Sequence, residues 1–155
     1  MCGMAIKKML VLSGVANAGK TNTLNLLAEK IHGLGHQLLD PPSMPPTLPD
    51  WRNHDHRYVF EVVKQSGTQV VGIDTHGDDE DSIQSALEFF TKFKRKVDVI
   101  ILASRSYYSA TVATIENWRG LGGVIPDYTA LMHKQGARYS NSVQGAIADR
   151  FYNKI

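Results

Sequence analysis

Eight consecutive residues, Val97-Asp98-Val99-Ile100-Ile101-Leu102-Ala103-Ser104, constrain the fold more than any other stretch of this chain. The run Val99–Ala103 lacks the alternation of a strand with one wet face, so both of its faces need cover. It is far too short to cross a bilayer and shorter than an ordinary helix. It therefore reads as an interior strand of a parallel sheet with helices on both sides. Matching pieces lie along the rest of the chain. Lys7–Ser13 reads as a second buried strand. Arg57–Gln65 and Thr68–Asp74 read as two strands joined in a hairpin at Ser66-Gly67, and Tyr128–Lys134 as a further strand. Apolar residues recur at helical spacing from about Lys20, through Leu24, Leu27, Ile31 and Leu34, with Gly33 and Gly35 as the stop. Further helices are expected over Asp79–Arg95, Thr111–Arg119 and Asn141–Tyr152. Their inward residues are Ile83, Ala86, Leu87 and Phe90, then Val112 and Ile115, then Val143, Ile147 and Phe151. The expectation is one α/β domain over residues 1–155, its sheet mostly parallel with one hairpin-derived antiparallel strand.

Five of the six prolines fall within Pro41–Pro49, which makes residues 40–57 a stiff, extended surface loop. The chain carries 17 basic and 15 acidic residues, a net charge of +2, which provides no broad footprint for nucleic acid. The apolar runs give no reason to expect a membrane span. Lys7, Lys8, the apolar run after them and Ala16–Ala18 imitate a secretory leader. Cleavage after Ala18 would cut Gly19-Lys20-Thr21 from its own strand, and the single cysteine, Cys2, permits no internal disulfide. A cytoplasmic location is the expectation.

Gly14-Val15-Ala16-Asn17-Ala18-Gly19-Lys20-Thr21 fits G-x-x-x-x-G-K-[ST] at every fixed position. It follows a strand and opens a helix, the context that gives the pattern its chemistry. Glycines let successive backbone N–H groups turn toward phosphate oxygens, and the helix N-terminus adds partial positive charge. An ammonium at Lys20 suits the β- and γ-phosphates, and a hydroxyl at Thr21 suits Mg²⁺.

On these residues and this order of elements, the chain resembles the P-loop NTPases. The resemblance implies a three-layer P-loop fold that binds ATP or GTP with Mg²⁺. It implies nucleotide contacts from Gly14, Asn17, Ala18, Gly19, Lys20, Thr21 and Asn22. It also implies a carboxylate at the end of a neighbouring strand that holds a water on Mg²⁺, a role that falls to Asp74. Asp98 starts its strand and faces the other way. Asp74-Thr75-His76-Gly77 is similar to the D-x-x-G element of P-loop GTPases, in which the Gly amide meets the γ-phosphate. Where that family places Gln or His to orient the attacking water, this chain has Asp78. The guanine-reading N-K-x-D is absent: the strand that would end in it ends in His133–Gly136. Guanine specificity has no support, and ATP is at least as good a ligand.

Arg105 follows Val99–Ser104 directly and belongs on the carboxyl edge of the sheet, where it can serve phosphates. Asp79, Glu80 and Asp81 complement a helix N-terminus, and the cations of Lys92–Lys96 complement its end. His54, Asp55 and His56 could ligate a metal, but there is no helical His pair and no Cys ligand for zinc. The function expected is a small Mg²⁺-dependent NTPase with a switch or accessory role, read by a protein partner. A small-molecule or nucleotide kinase and a non-catalytic nucleotide sensor are the alternatives.

Overall fold

The computed structural model describes residues 6–14, 19–45, 54–105, 110–131 and 140–155. Its order is β1 (Lys8–Gly14), α1 (Lys20–Gly33), β2 (Gln37–Asp40), β3 (Arg57–Lys64), β4 (Gly67–Asp74), α2 (Glu80–Thr91), β5 (Val99–Ser104), α3 (Ala110–Glu116), a 3-10 turn (Arg119–Leu121), β6 (Asp127–Leu131) and α4 (Asn141–Lys154). Among the described residues, six strands form one mixed sheet in the order β2-β3-β4-β5-β1-β6. The β4–β5, β5–β1 and β1–β6 pairings are parallel, and β3 runs against both of its neighbours. The fold is α/β, and the one antiparallel strand comes from the expected hairpin. Its turn is Gln65-Ser66 rather than Ser66-Gly67, because Lys64 pairs with Gly67.

Both faces of the sheet are covered, as the uninterrupted apolar strands require. Period-two alternation sends Leu10, Leu12, Ile101 and Ala103 to one face with Leu24, Leu27 and Ile31 of α1 and Phe151 of α4. Met9, Val11, Ile100 and Leu102 face the other way, onto Ile83, Leu87 and Phe90 of α2 and Ile115 of α3. The inward residues expected of α2 and α3 are all buried. Two expectations are corrected. Val143 is 40% exposed and Ile147 only partly buried; besides the expected Phe151, α4 buries Gln144 and Ala148, each one residue further round. Leu34 lies just beyond α1, where the helix is already ending, and is 55% exposed.

The helix ends follow local chemistry. The Asp79 side chain accepts from Ser82 N and caps α2, with Glu80 and Asp81 in the first turn, as the acidic run implied. That helix stops at Thr91, earlier than the expected Arg95, and Arg95 instead reaches across to Glu61 (2.8 Å). The short edge strand β2 was not expected. No helix among the described residues is long and apolar enough to cross a membrane.

Candidate functional site

Because β1, β4, β5 and β6 are parallel, Gly14, Asp74, Ser104 and Leu131 end at the same edge of the sheet. The phosphate-loop pattern sits there. β1 ends at Gly14, and Val15–Ala18, including Asn17 and Ala18, lie outside the described residues. Gly19 has φ 103°, a left-handed conformation that glycine adopts without a Cβ penalty, and it hands the chain to α1. Its carbonyl accepts from Thr23 N (2.9 Å) and from Thr23 Oγ1 (2.7 Å), so the first turn of the helix closes at once. Gly19 has no side chain with which to cap this terminus, and no acid lies in the first turn of the helix. Lys20 is only 6% exposed, and its Nζ donates to the Gly14 carbonyl at 2.6 Å, spanning the loop. Burial pushes the Lys20 ammonium down from its ordinary pKa, Asp78 pulls it up, and Arg105 pushes it down again.

Thr21 Oγ1 donates to Asp55 Oδ1 at 3.2 Å, and Thr75 Oγ1 donates to the same oxygen at 3.2 Å. One carboxylate oxygen thus joins the start of α1 to the end of β4. The backbone around Asp55 is held on both sides. Asn25 Nδ2 donates to the His54 carbonyl (2.9 Å), and Tyr58 Oη donates to Asn25 Oδ1 (2.8 Å). His56 N donates to Thr75 Oγ1 (2.8 Å), and Thr75 N donates to the His56 carbonyl (3.0 Å).

Asp74 is wholly buried at the end of β4, but its carboxylate is already engaged. Arg57 Nε donates to Oδ2, while the His76 backbone N (2.7 Å) and ring Nδ1 (2.8 Å) both approach Oδ1. The Asp74 hydrogen bond is the main reason that the His76 imidazole titrates above its ordinary range, with burial opposing it. The neighbouring strand expected to carry the carboxylate is not adjacent to β1. β5 lies between them, because an interior strand buried on both faces fits between two parallel partners.

Beyond Asp74 the chain crosses the end of β5. A Cβ on Gly77 would come within 2.5 Å of the Ala103 carbonyl carbon, so close packing alone requires glycine there. Asp78 and Arg105, the two charged candidates next to the loop, face each other, with Arg105 Nε 3.4 Å from Asp78 Oδ1. Ser104 and Thr111 share a buried hydroxyl contact (2.8 Å), and Arg105 N donates to the same Thr111 hydroxyl (3.1 Å). Asn22 is buried, with its amide turned to Gln144 of α4. Asp98 lies at the opposite edge, as expected, where it accepts from Val70 N. Residues 106–109 and 132–139, with the expected ends of two strand-to-helix loops, lie outside the described residues, as do residues 46–53 of the Pro-rich loop.

Lys20, Thr21, Gly77, Asp78 and Arg105, all candidates from the sequence, thus lie at one edge of the sheet. The sequence reading missed Arg57, Thr75 and His76 as partners at that edge, and it weighed Asp55 only within a zinc cluster. Among the described residues, no group of three His, Cys, Asp or Glu side chains is placed to hold a metal ion. Comparison with known protein families, with curated proteins and with solved structures returns no match for this chain.

Proposed function

We propose that this chain is a P-loop nucleotide-binding protein that takes a nucleoside triphosphate with Mg²⁺ at the Gly14–Thr21 loop and hydrolyses it as a switch. The observation that carries the reading is the buried Lys20 ammonium, 2.6 Å from the Gly14 carbonyl, at an N-terminus of α1 whose N-cap is a glycine. Burial disfavours that charge, and a phosphate oxygen would supply the opposite charge in a shielded place. The helix start offers backbone N–H groups and a positive dipole end to the same anion.

Mg²⁺ suits the donors present. Thr21, Asp55 and Thr75 offer only hard oxygens, the ligand type this ion takes, and one carboxylate with hydroxyls needs phosphate oxygens to complete the set. When bound, the ion would neutralise charge that builds on the terminal phosphate during transfer. Lys20 would hold the β- and γ-oxygens. Arg105, at the carboxyl end of β5 and paired with Asp78, is a further cation on this edge, and Asp78 stands at the position expected to orient water.

Calorimetry with non-hydrolysable ATP and GTP analogues, and with adenosine and guanosine, tests the reading. Lys20→Ala removes charge-assisted hydrogen bonds from the phosphate side alone. It should weaken triphosphate binding roughly 10- to 100-fold and leave nucleoside binding unchanged. Equal triphosphate affinity in wild type and variant refutes the site. Phosphate release without any added acceptor supports hydrolysis, and triphosphate consumption that requires a metabolite replaces the switch with a kinase.

A further inference from the structure

We propose that Asp55, not Asp74, supplies the carboxylate of the divalent-cation site, and that the cation thereby latches the segment His54–Arg57 to the phosphate loop. The inference rests on the nucleotide reading above and assigns its metal ligand.

Geometry separates the two acids. Asp74 is fully buried, and its two oxygens already accept from a guanidinium, an imidazole nitrogen and a backbone N–H. A dication approaching Asp74 would have to displace Arg57 or His76. Its strand is also separated from β1 by β5. Asp55 is exposed, and its Oδ1 lies 3.2 Å from the hydroxyl of Thr21, the residue whose side chain the loop pattern assigns to the cation. The second hydroxyl on that oxygen, from Thr75, is equally distant at 3.2 Å. Three hard oxygens from three segments therefore converge, and a cation among them would replace two long hydrogen bonds with shorter metal–oxygen contacts.

The segment is also placed in advance. Asn25 of α1 fixes the His54 carbonyl, and Thr75 exchanges two hydrogen bonds with His56, so little ordering is left to lose when Asp55 takes a ligand. The donor set is incomplete without phosphate oxygens, so the cation should enter with the triphosphate and bind weakly alone.

The test is Mn²⁺ binding by electron paramagnetic resonance on the full chain, with saturating non-hydrolysable ATP or GTP analogue. Asp55→Asn keeps an oxygen that can accept from Thr21 and Thr75 but removes the charge. The expected result is a loss of Mn²⁺ affinity of roughly 10- to 100-fold in the analogue complex. Analogue affinity in EDTA should stay equal or rise, because a negative charge near the phosphates has gone. Asp55→Glu should recover part of the metal affinity. A purely structural Asp55 would instead weaken analogue binding in EDTA and metal binding alike, and that result overturns the proposal. Unchanged Mn²⁺ affinity in Asp55→Asn overturns it too. A wild-type chain that takes up neither analogue removes the nucleotide reading, and the metal ligand with it; a wild-type chain that binds an analogue but ignores Asp55→Asn removes Asp55 alone.

Discussion

Asp74→Asn distinguishes a carboxylate that holds the fold together from one that serves a cation. The substitution keeps the shape and removes one charge from a group that is 0% exposed and held by Arg57 and His76. Leaving one member of a buried ion pair without its partner costs about 3–5 kcal/mol, and the lower end applies because Arg57 and His76 both reach solvent. About 3 kcal/mol in a chain of 155 residues corresponds to a fall in Tm of about 6–12 °C. The pH dependence adds a second signature. Asp74 raises the His76 pKa above its unfolded value, so this contribution is fully present below about pH 6.5 and fades as pH rises through the folded pKa. The gap between wild type and variant should therefore be wider at pH 5.5 than at pH 8.5. Thermal melts followed by circular dichroism at both pH values measure it. Equal Tm values, or a gap that widens with pH, would refute the reasoning. A variant that melts like wild type but loses Mn²⁺ would return Asp74 to the metal role that the sequence implied.

Two further substitutions probe the scaffold. Gly77→Ala forces a Cβ to within 2.5 Å of the β5 backbone at Ala103, which cannot yield as a side-chain tip could; a loss of about 2 kcal/mol, or about 4–8 °C in Tm, is expected in thermal melts without nucleotide. If Gly77→Ala melts like wild type and fails only in triphosphate binding, the glycine serves the phosphate rather than the packing. Tyr58→Phe removes the hydrogen bond to Asn25 and should cost about 1 kcal/mol. Burial pushes the Tyr58 phenol above its ordinary range, so a late-ionising component in the alkaline absorbance titration of wild type should be missing from this variant.

The scaffold was legible wherever one local rule acted alone. Val99–Ala103 is apolar throughout and its whole strand is buried, and Asp79 precedes its helix and caps it. Reading failed where two rules competed or where pairing decided. β2 is four residues long, with only Leu38 and Leu39 to mark it, and it exists because β3 offers an edge. The face of α4 turned on Gln144, a polar residue that is buried because Asn22 of α1 bonds to it, and hydropathy alone cannot reveal such a pair. At the site, the loop pattern proposed to hold phosphate could be read because it occupies eight adjacent residues, of which 15–18 lie outside the described residues. The Arg57–Asp74 pair was hidden by a one-residue shift of the turn, which moves the pairing by two residues. A turn at Gln65-Ser66 sets the two opposite each other, whereas a turn at Ser66-Gly67 sets Asp74 against Val59 and moves every pairing with it. Asp55 carries no local signal of its own: it meets Thr21 only once β3 and β4 are side by side.

The place of β5 between β1 and β4 has a consequence for how the chain is made. The described neighbours of β1 in the sheet are β5 and β6, both synthesised long after it. At the usual pace of translation, the residues from Gly14 to Ser104 take about 5–20 s to add, and over that time Met9–Leu12 has no partner strand. The β2–β3–β4 meander, by contrast, is built from pairs close in sequence and can close as soon as Asp74 has emerged. The nascent chain therefore passes through a stage in which a small sheet, whose Tyr58 and Phe60 already offer α1 a face, trails an unpaired apolar strand. That is the form in which this protein is most exposed to aggregation and to chaperones, and it ends only when Val99–Ser104 arrives and joins the two halves of the sheet.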